Sequence, residues 1–244
     1  MFIYYQLKNS YNMFVPVVNY QYPPVTDSLI RFYDPNIALT TSSMLENSGR
    51  TPMSGSGGGY TIETGVPGYI TFTNNRTNRF VCTASTDLDW TGGTVIAWVY
   101  LNGTGNINYC WVNQRSTTGA ANTRYSLHIN PTANTIGIYN GSAFNTAATT
   151  IDNGIWYCLA ATLSTTLNTT FYKNGISVGN PGGTSNISSA ATNKAFEIGN
   201  SDPGFATEAF DGRIGQVWNY SRRLLPEEIY QVYQQTRDRY GLFI

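Results

Sequence analysis

The chain has 244 residues, of which 41% are apolar and only 11% charged. That is long and apolar enough for one large domain or two small ones with a sizeable core, and the chain reads as globular rather than disordered. Fourteen basic and fourteen acidic residues cancel, so nothing drives the chain toward a phosphate backbone and nucleic acid is not an expected partner.

No apolar run approaches the roughly 18 residues of a membrane span, so none is expected. The start is apolar but lacks a basic leader and is interrupted by Lys8, Asn9 and Ser10; no signal peptide is expected. Cys82, Cys110 and Cys158 follow no metal-ligand spacing. Each sits in an apolar or aromatic stretch and reads as a buried free thiol.

Residues 1–26 differ from all that follows. This arm carries Tyr4, Tyr5, Tyr11, Phe14, Val18, Tyr20 and Tyr22 and a single charge, Lys8. Val18, Tyr20 and Tyr22 alternate with Asn19 and Gln21, the period of a strand with one apolar face. Pro23 and Pro24 end it. Each aromatic left in water forgoes about 1.5–3 kcal/mol of burial. The arm is therefore expected to dock, by strand addition, on its own sandwich or on a partner.

From Asp27 onward the pattern is strand and turn. LIRFYD, YITF, RFVCTA, VIAWVYL, YCWVNQ, RYSLHI, TIGIYN, IWYCLAATL, TTFYKNG, ISVG, FEIGN and RIGQVWNY read as short strands. SGSGGGY (Ser54–Tyr60) reads as a flexible loop. Asn174-Gly175 is the sharpest turn signal, because a type I′ hairpin needs positive φ at both positions. About a dozen strands without intervening helices predict an all-β, antiparallel two-sheet jelly-roll sandwich spanning 27–244. One short C-terminal helix is predicted from Pro226, with Glu227 and Glu228 complementing its dipole. Its apolar face, Ile229, Val232, Tyr233 and Thr236, is expected to pack against a sheet edge.

Four motifs occur in order: AWVYLN (Ala97–Asn102), NGIWYCLAAT (Asn153–Thr162), FYKNGISVG (Phe171–Gly179) and FDGRIGQVWNYSRRLLPEEI (Phe210–Ile229). With them, the stretch Ile96–Tyr240 resembles the laminin-G-like branch of the concanavalin A-like lectin/glucanase superfamily. The resemblance implies a buried tryptophan in the first motif. In the last, Leu225 stands where the family carries a Ser or Thr cap, a loss of about 1 kcal/mol in typical hosts. LIRFYDP, NSGR and YITFTNNRTNRFV are similar to a leader that precedes this domain in proteins of bacteriophages and large DNA viruses.

The superfamily includes glucanases, whose retaining chemistry needs two carboxylates about 5–5.5 Å apart. The E-x-D-x-E pattern that supplies them is absent, and Glu227 and Glu228 are neighbours on a helix. The chain is therefore expected not to be an enzyme. His128 opposes Tyr125, Leu127 and Ile129 and is expected on the solvent side. The resemblance implies a rim calcium ion, for which Asp87, Asp89, Asp202 and Asp211 are loop candidates; ordinary turn aspartates are the simpler reading, and no cofactor is expected. A glycan-binding platform is sought at Trp111, Tyr139, Asn140 and Phe144.

These readings combine into a non-enzymatic structural protein of an assembly. The expected location is a virion, as a minor capsid, decoration or tail-associated protein docked through its arm to other structural proteins or to its own copies. The alternative is a lectin module that attaches to glycans.

Overall fold

The computed structural model describes residues 25–40, 43–46, 53–73, 75, 77–103, 109–116, 122–130, 133–200 and 208–242. Tyr4, Tyr5, Tyr11, Phe14, Val18, Tyr20 and Tyr22 of the arm lie outside them. The chain order begins with β1 (Leu29–Thr40), β2 (Ser43–Glu46), β3 (Met53–Ser56), β4 (Tyr60–Glu63), β5 (Tyr69–Phe72), β6 (Arg79–Cys82), β7 (Gly92–Leu101) and β8 (Tyr109–Arg115). It continues with β9 (Thr123–Asn130), β10 (Thr135–Tyr139), β11 (Phe144–Thr150), β12 (Trp156–Ser164), β13 (Thr170–Lys173), β14 (Ile176–Gly179), β15 (Phe196–Ile198), β16 (Gly212–Tyr220) and one α-helix, α1 (Pro226–Thr236). No helix among the described residues is long and apolar enough to cross a membrane.

The strands pair in the order β11-β10-β9-β8-β15-β6-β3-β2-β1-β16-β7-β12-β13-β14, with β5 on β16 and β4 on β5. This ladder folds over into two facing antiparallel layers, the jelly-roll sandwich expected from strand spacing. The first layer holds β11 through β3, the second β1 through β14. Between them, alternate residues of β7 (Val95, Ala97, Val99, Leu101) and β12 (Leu159, Ala161, Leu163) meet Tyr125, Leu127, Ile136 and Ile138 from the first layer. The period-two pattern of these strands thus translates directly into a core.

The intervening residues of the second layer are apolar as well. Ile96, Trp98, Cys158, Ala160, Trp218 and Tyr220 face outward and are buried beneath Ile229, Val232 and Tyr240. The helix therefore covers the outer face of the second layer rather than the sheet edge expected from sequence. The cause is that β7 and β12 are apolar on both faces, and a doubly apolar sheet needs a second cover. Trp98 anchors that cover: its indole Nε1–H donates to Thr236 Oγ1 at 2.9 Å, and its ring stacks on Tyr240 at 4.2 Å. Trp98 is also the buried tryptophan implied by the first motif.

Leu225 makes no side-chain cap, as its apolar side chain dictates. Glu228 compensates. Its carboxylate accepts the Leu225 N–H at 2.8 Å and takes both ends of the Arg222 guanidinium at 2.7 and 2.6 Å. The arginine and this backbone hydrogen bond hold the Glu228 carboxyl below its usual range.

The Asn174-Gly175 turn has φ of 51° and 78°, as a type I′ hairpin requires. A Cβ on Gly175 would also meet Tyr230 of α1 at 2.9 Å, so this glycine serves both the turn and the packing of the helix. All three cysteines are free and buried. The glycine-rich stretch Ser54–Tyr60 is not a flexible loop; it contributes to β3 and opens β4. Its glycines make room for close packing, since a Cβ on Gly55 would overlap the Tyr60 ring, and one on Gly59 the Asn78 side chain.

Candidate functional site

Strands β8 to β11 of the first layer send Tyr109, Trp111, Val112, Tyr125, Leu127, Ile129, Ile136 and Ile138 into the core. The opposite face of the same strands carries chemistry. Register aligns Phe144, Tyr139, Ser126, Asn113 and Glu197 in one row across β11, β10, β9, β8 and β15. A second row aligns Gly137, His128 and Cys110.

Glu208 joins these rows from outside the strands. Arg115 Nη1 donates to both Glu208 carboxylate oxygens at 3.1 and 2.9 Å, and the guanidinium lies over the Tyr139 ring at 5.0 Å. His128 Nε2 stands 4.0 Å from Glu208 Oε2, and its ring makes a T-shaped pair with Phe144, centroids 5.5 Å apart. Farther along, Arg79 Nε is 3.2 Å from Glu197 Oε1. Two carboxylates therefore share this face, and each is engaged by an arginine.

His128 faces away from the core as its alternation predicts, but it is buried rather than on the solvent side, at 1% exposure. Neither ring nitrogen finds a hydrogen-bond partner among the described residues. Burial pushes its pKa down to about 4, with Glu208 opposing that fall and Arg115 adding to it. Burial likewise pushes the Cys110 thiol far up, so it is not a nucleophile at neutral pH.

The rim beside these rows is open. The turn between β10 and β11 is built on Asn140, whose Oδ1 accepts the N–H groups of Ser142 and Ala143 at 3.1 and 3.0 Å. Its Nδ2 donates to the carbonyls of Thr184 and Asn186 at 3.2 and 3.1 Å. This clamp holds the turn against the 184–188 segment and leaves a pocket of about 250 Å³ between them. Ser142 and Ala143 line one side, Thr184, Asn186 and Ser188 the other, and buried Ile187 the floor. Among the described residues no charged side chain lines it.

Of the residues sought from sequence, Tyr139, Asn140 and Phe144 come together at this end of the first layer and are half-buried. Trp111 does not join them. It is fully buried between the layers, because a bulge between Cys110 and Val112 turns both Trp111 and Val112 toward the core. Asn140 is the architect of the pocket, since its amide is already committed to backbone groups.

The calcium candidates separate. Asp87 binds the Arg31 guanidinium at 2.7 and 3.0 Å. Asp89 accepts the Asn193 N–H at 2.9 and 3.0 Å, and Asp211 faces the Asn102 amide at 3.5 Å. Asp202 lies outside the described residues. Among the described residues no three His, Cys, Asp or Glu side chains converge to hold a metal.

Glu208, Arg115 and the 184–188 segment were not singled out in the sequence. The one local signal was Asn113 and Arg115, two residues apart in a strand that also carries Tyr109 and Trp111.

Residues 53–230 match the family model of the concanavalin A-like lectin/glucanases superfamily. No curated protein matches the chain by sequence. Among solved structures, Trypanosoma rangeli sialidase is similar, with a TM-score of 0.69 and 13% identity over 88% of this chain and 34% of that one. The chain thus spans about a third of the sialidase. Domain 4 of AbnA, an extracellular arabinanase from Geobacillus stearothermophilus, gives a TM-score of 0.63 and 16% identity over 85% of this chain and 98% of that one. The binding domain of Paraclostridial Mosquitocidal Protein 1 gives 0.62 and 14% over 86% and 52%. At these identities the likeness is one of fold.

The buried histidine has a measurable consequence. Its folded pKa of about 4 lies below the unfolded value of 6.5, so the unfolded chain binds more protons between these limits. Stability from this group is complete above about pH 6.5 and is lost as pH falls toward 4. His128 is the chain's only histidine, so one imidazole C2–H resonance reports it. That resonance is expected to hold its shift from pH 8 down to about 5; a midpoint near 6.5 would show an exposed ring.

Proposed function

The chain belongs to the concanavalin A-like lectin/glucanases superfamily, and we propose that it is a non-catalytic carbohydrate-binding module whose sugar occupies the rim pocket. The observation that carries this reading is the pocket itself. It is smaller than the roughly 300–1,000 Å³ of sites for drug-sized ligands, uncharged, and walled by hydroxyl and amide side chains over an apolar floor. Such a lining pairs with sugar hydroxyls without demanding a counter-charge.

Two related structures add support. The AbnA domain was solved with arabinotriose, and the mosquitocidal protein fragment is named as a binding domain. The non-catalytic part of the reading rests on Glu197 and Glu208. Each is tied to a guanidinium instead of standing free across a cleft, as glycoside hydrolysis needs.

A second reading, a virion component docked through residues 1–26, is favoured by the five tyrosines that share the arm with a single charge. Its test is deletion of residues 1–25. The shortened protein should fold but fail to enter particles, and normal incorporation removes the idea.

For the module, a glycan array should yield binding to uncharged oligosaccharides. Ala143→Trp fills the pocket from an exposed turn position and should reduce that binding by about tenfold or more, a loss of about 1.4 kcal/mol, with the melting temperature little changed. Undiminished binding by this variant moves the site elsewhere; an array without a hit rejects the module.

A further inference from the structure

A different cluster stands at the far end of the second layer, where α1 does not reach. Register places Thr71, Arg213, Tyr100 and Trp156 side by side across β5, β16, β7 and β12. Tyr69, two residues before Thr71, shares their outer face. The Arg213 guanidinium lies over the rings of Tyr69 and Tyr100 at 4.9 and 4.8 Å. Trp156 packs against the same two rings at 5.9 and 5.5 Å and is backed by Tyr240 at 4.8 Å. All four side chains of the cluster are half-buried.

Arg213 is unusual in this chain. Each other described arginine binds a carboxylate, a carbonyl or a hydroxyl; Arg213 binds none among the described residues, where its N–H groups are free to receive a ligand. Two tyrosine faces hold the guanidinium flat, which removes most of the freedom that binding would otherwise cost. A flat fork of free donors matches a carboxylate in two-point geometry. The flanking half-exposed rings offer stacking faces of the kind that receive the C–H side of a sugar ring. Glu63, opposite Tyr69 on β4, is exposed and is not paired with Arg213.

We infer that Tyr69, Tyr100, Trp156 and Arg213 form a second saccharide site, specific for a carboxylate-bearing sugar of the uronate or sialate type. The inference rests on the reading of the chain as a carbohydrate-binding module but uses a separate surface. The rim pocket takes the uncharged sugar; this platform takes the acidic one.

The experiment is calorimetric titration of the full chain with trigalacturonate, with sialyllactose, and with carboxyl-reduced trigalacturonate. At least one acidic sugar should bind. The affinity should fall about tenfold or more in Arg213→Gln, the ordinary cost of a lost charged hydrogen bond. It should fall also in about 0.5 M sodium chloride, rise in Glu63→Gln, and survive Ala143→Trp. The reduced trimer should bind at least about tenfold more weakly than its acid form. Should Arg213→Gln fail to fold, the salt and reduced-trimer titrations still decide the matter. Equal binding of the acid and reduced trimers, or unchanged affinity in a folded Arg213→Gln protein, overturns the inference. Binding of the reduced trimer alone overturns it and leaves the rim pocket standing, and binding of none of the three overturns it while the glycan array decides the rim pocket.

Discussion

The second layer of the sandwich is apolar on both faces, and the rest of the molecule is arranged around that constraint. Val95, Ala97, Val99 and Leu101 alternate along β7 with Ile96 and Trp98. A strand of this composition is stable only if water is kept from both sides. The first layer covers one side, and the C-terminal helix covers the other, pinned where the Trp98 indole meets Thr236 and Tyr240. With each large apolar side chain worth about 1.5–3 kcal/mol on burial, the helix is part of the fold and not an appendage.

That arrangement decides which surfaces remain for ligands. The helix closes the middle of the second layer's outer face and leaves its Tyr69–Trp156 end open. The first layer's outer face holds two largely buried groups, Arg115 with Glu208 and His128, and Arg79 with Glu197. The charges placed there are paired within the protein, Glu208 with Arg115 and Glu197 with Arg79. Two open places among the described residues are the rim between the Asn140 turn and the 184–188 segment, and the ring-and-guanidinium platform. On the reading proposed above, the guanidinium and rings of the platform suit an acidic sugar, and the uncharged hydroxyls and amides of the rim a neutral one.

Much of the fold was legible because its causes are local. Asn174-Gly175 declared its hairpin, Pro226 its helix start, and the apolar context of Cys82, Cys110 and Cys158 their burial. Legibility ended where the cause is tertiary. Trp111 faces the core because of a bulge that its own sequence does not announce. His128 lies on the face that alternation assigns, yet what covers it comes from residues distant in the chain. Arg115 and Glu208 are 93 residues apart, and the Asn140 amide reaches 44 and 46 residues along to Thr184 and Asn186. The Arg213 cluster draws one side chain from each of four strands. The glycine-rich stretch misled for the opposite reason: its glycines serve close packing against Tyr60 and Asn78, not flexibility.

The central claim is that this sandwich holds a neutral sugar at its rim. Amide chemical-shift mapping of the labelled protein, titrated with an uncharged oligosaccharide such as arabinotriose, tests it most directly. The account predicts saturable shifts at residues 140–143 and 184–188, with the core strands unmoved. Shifts confined to other surfaces, or none for any uncharged oligosaccharide, would contradict it.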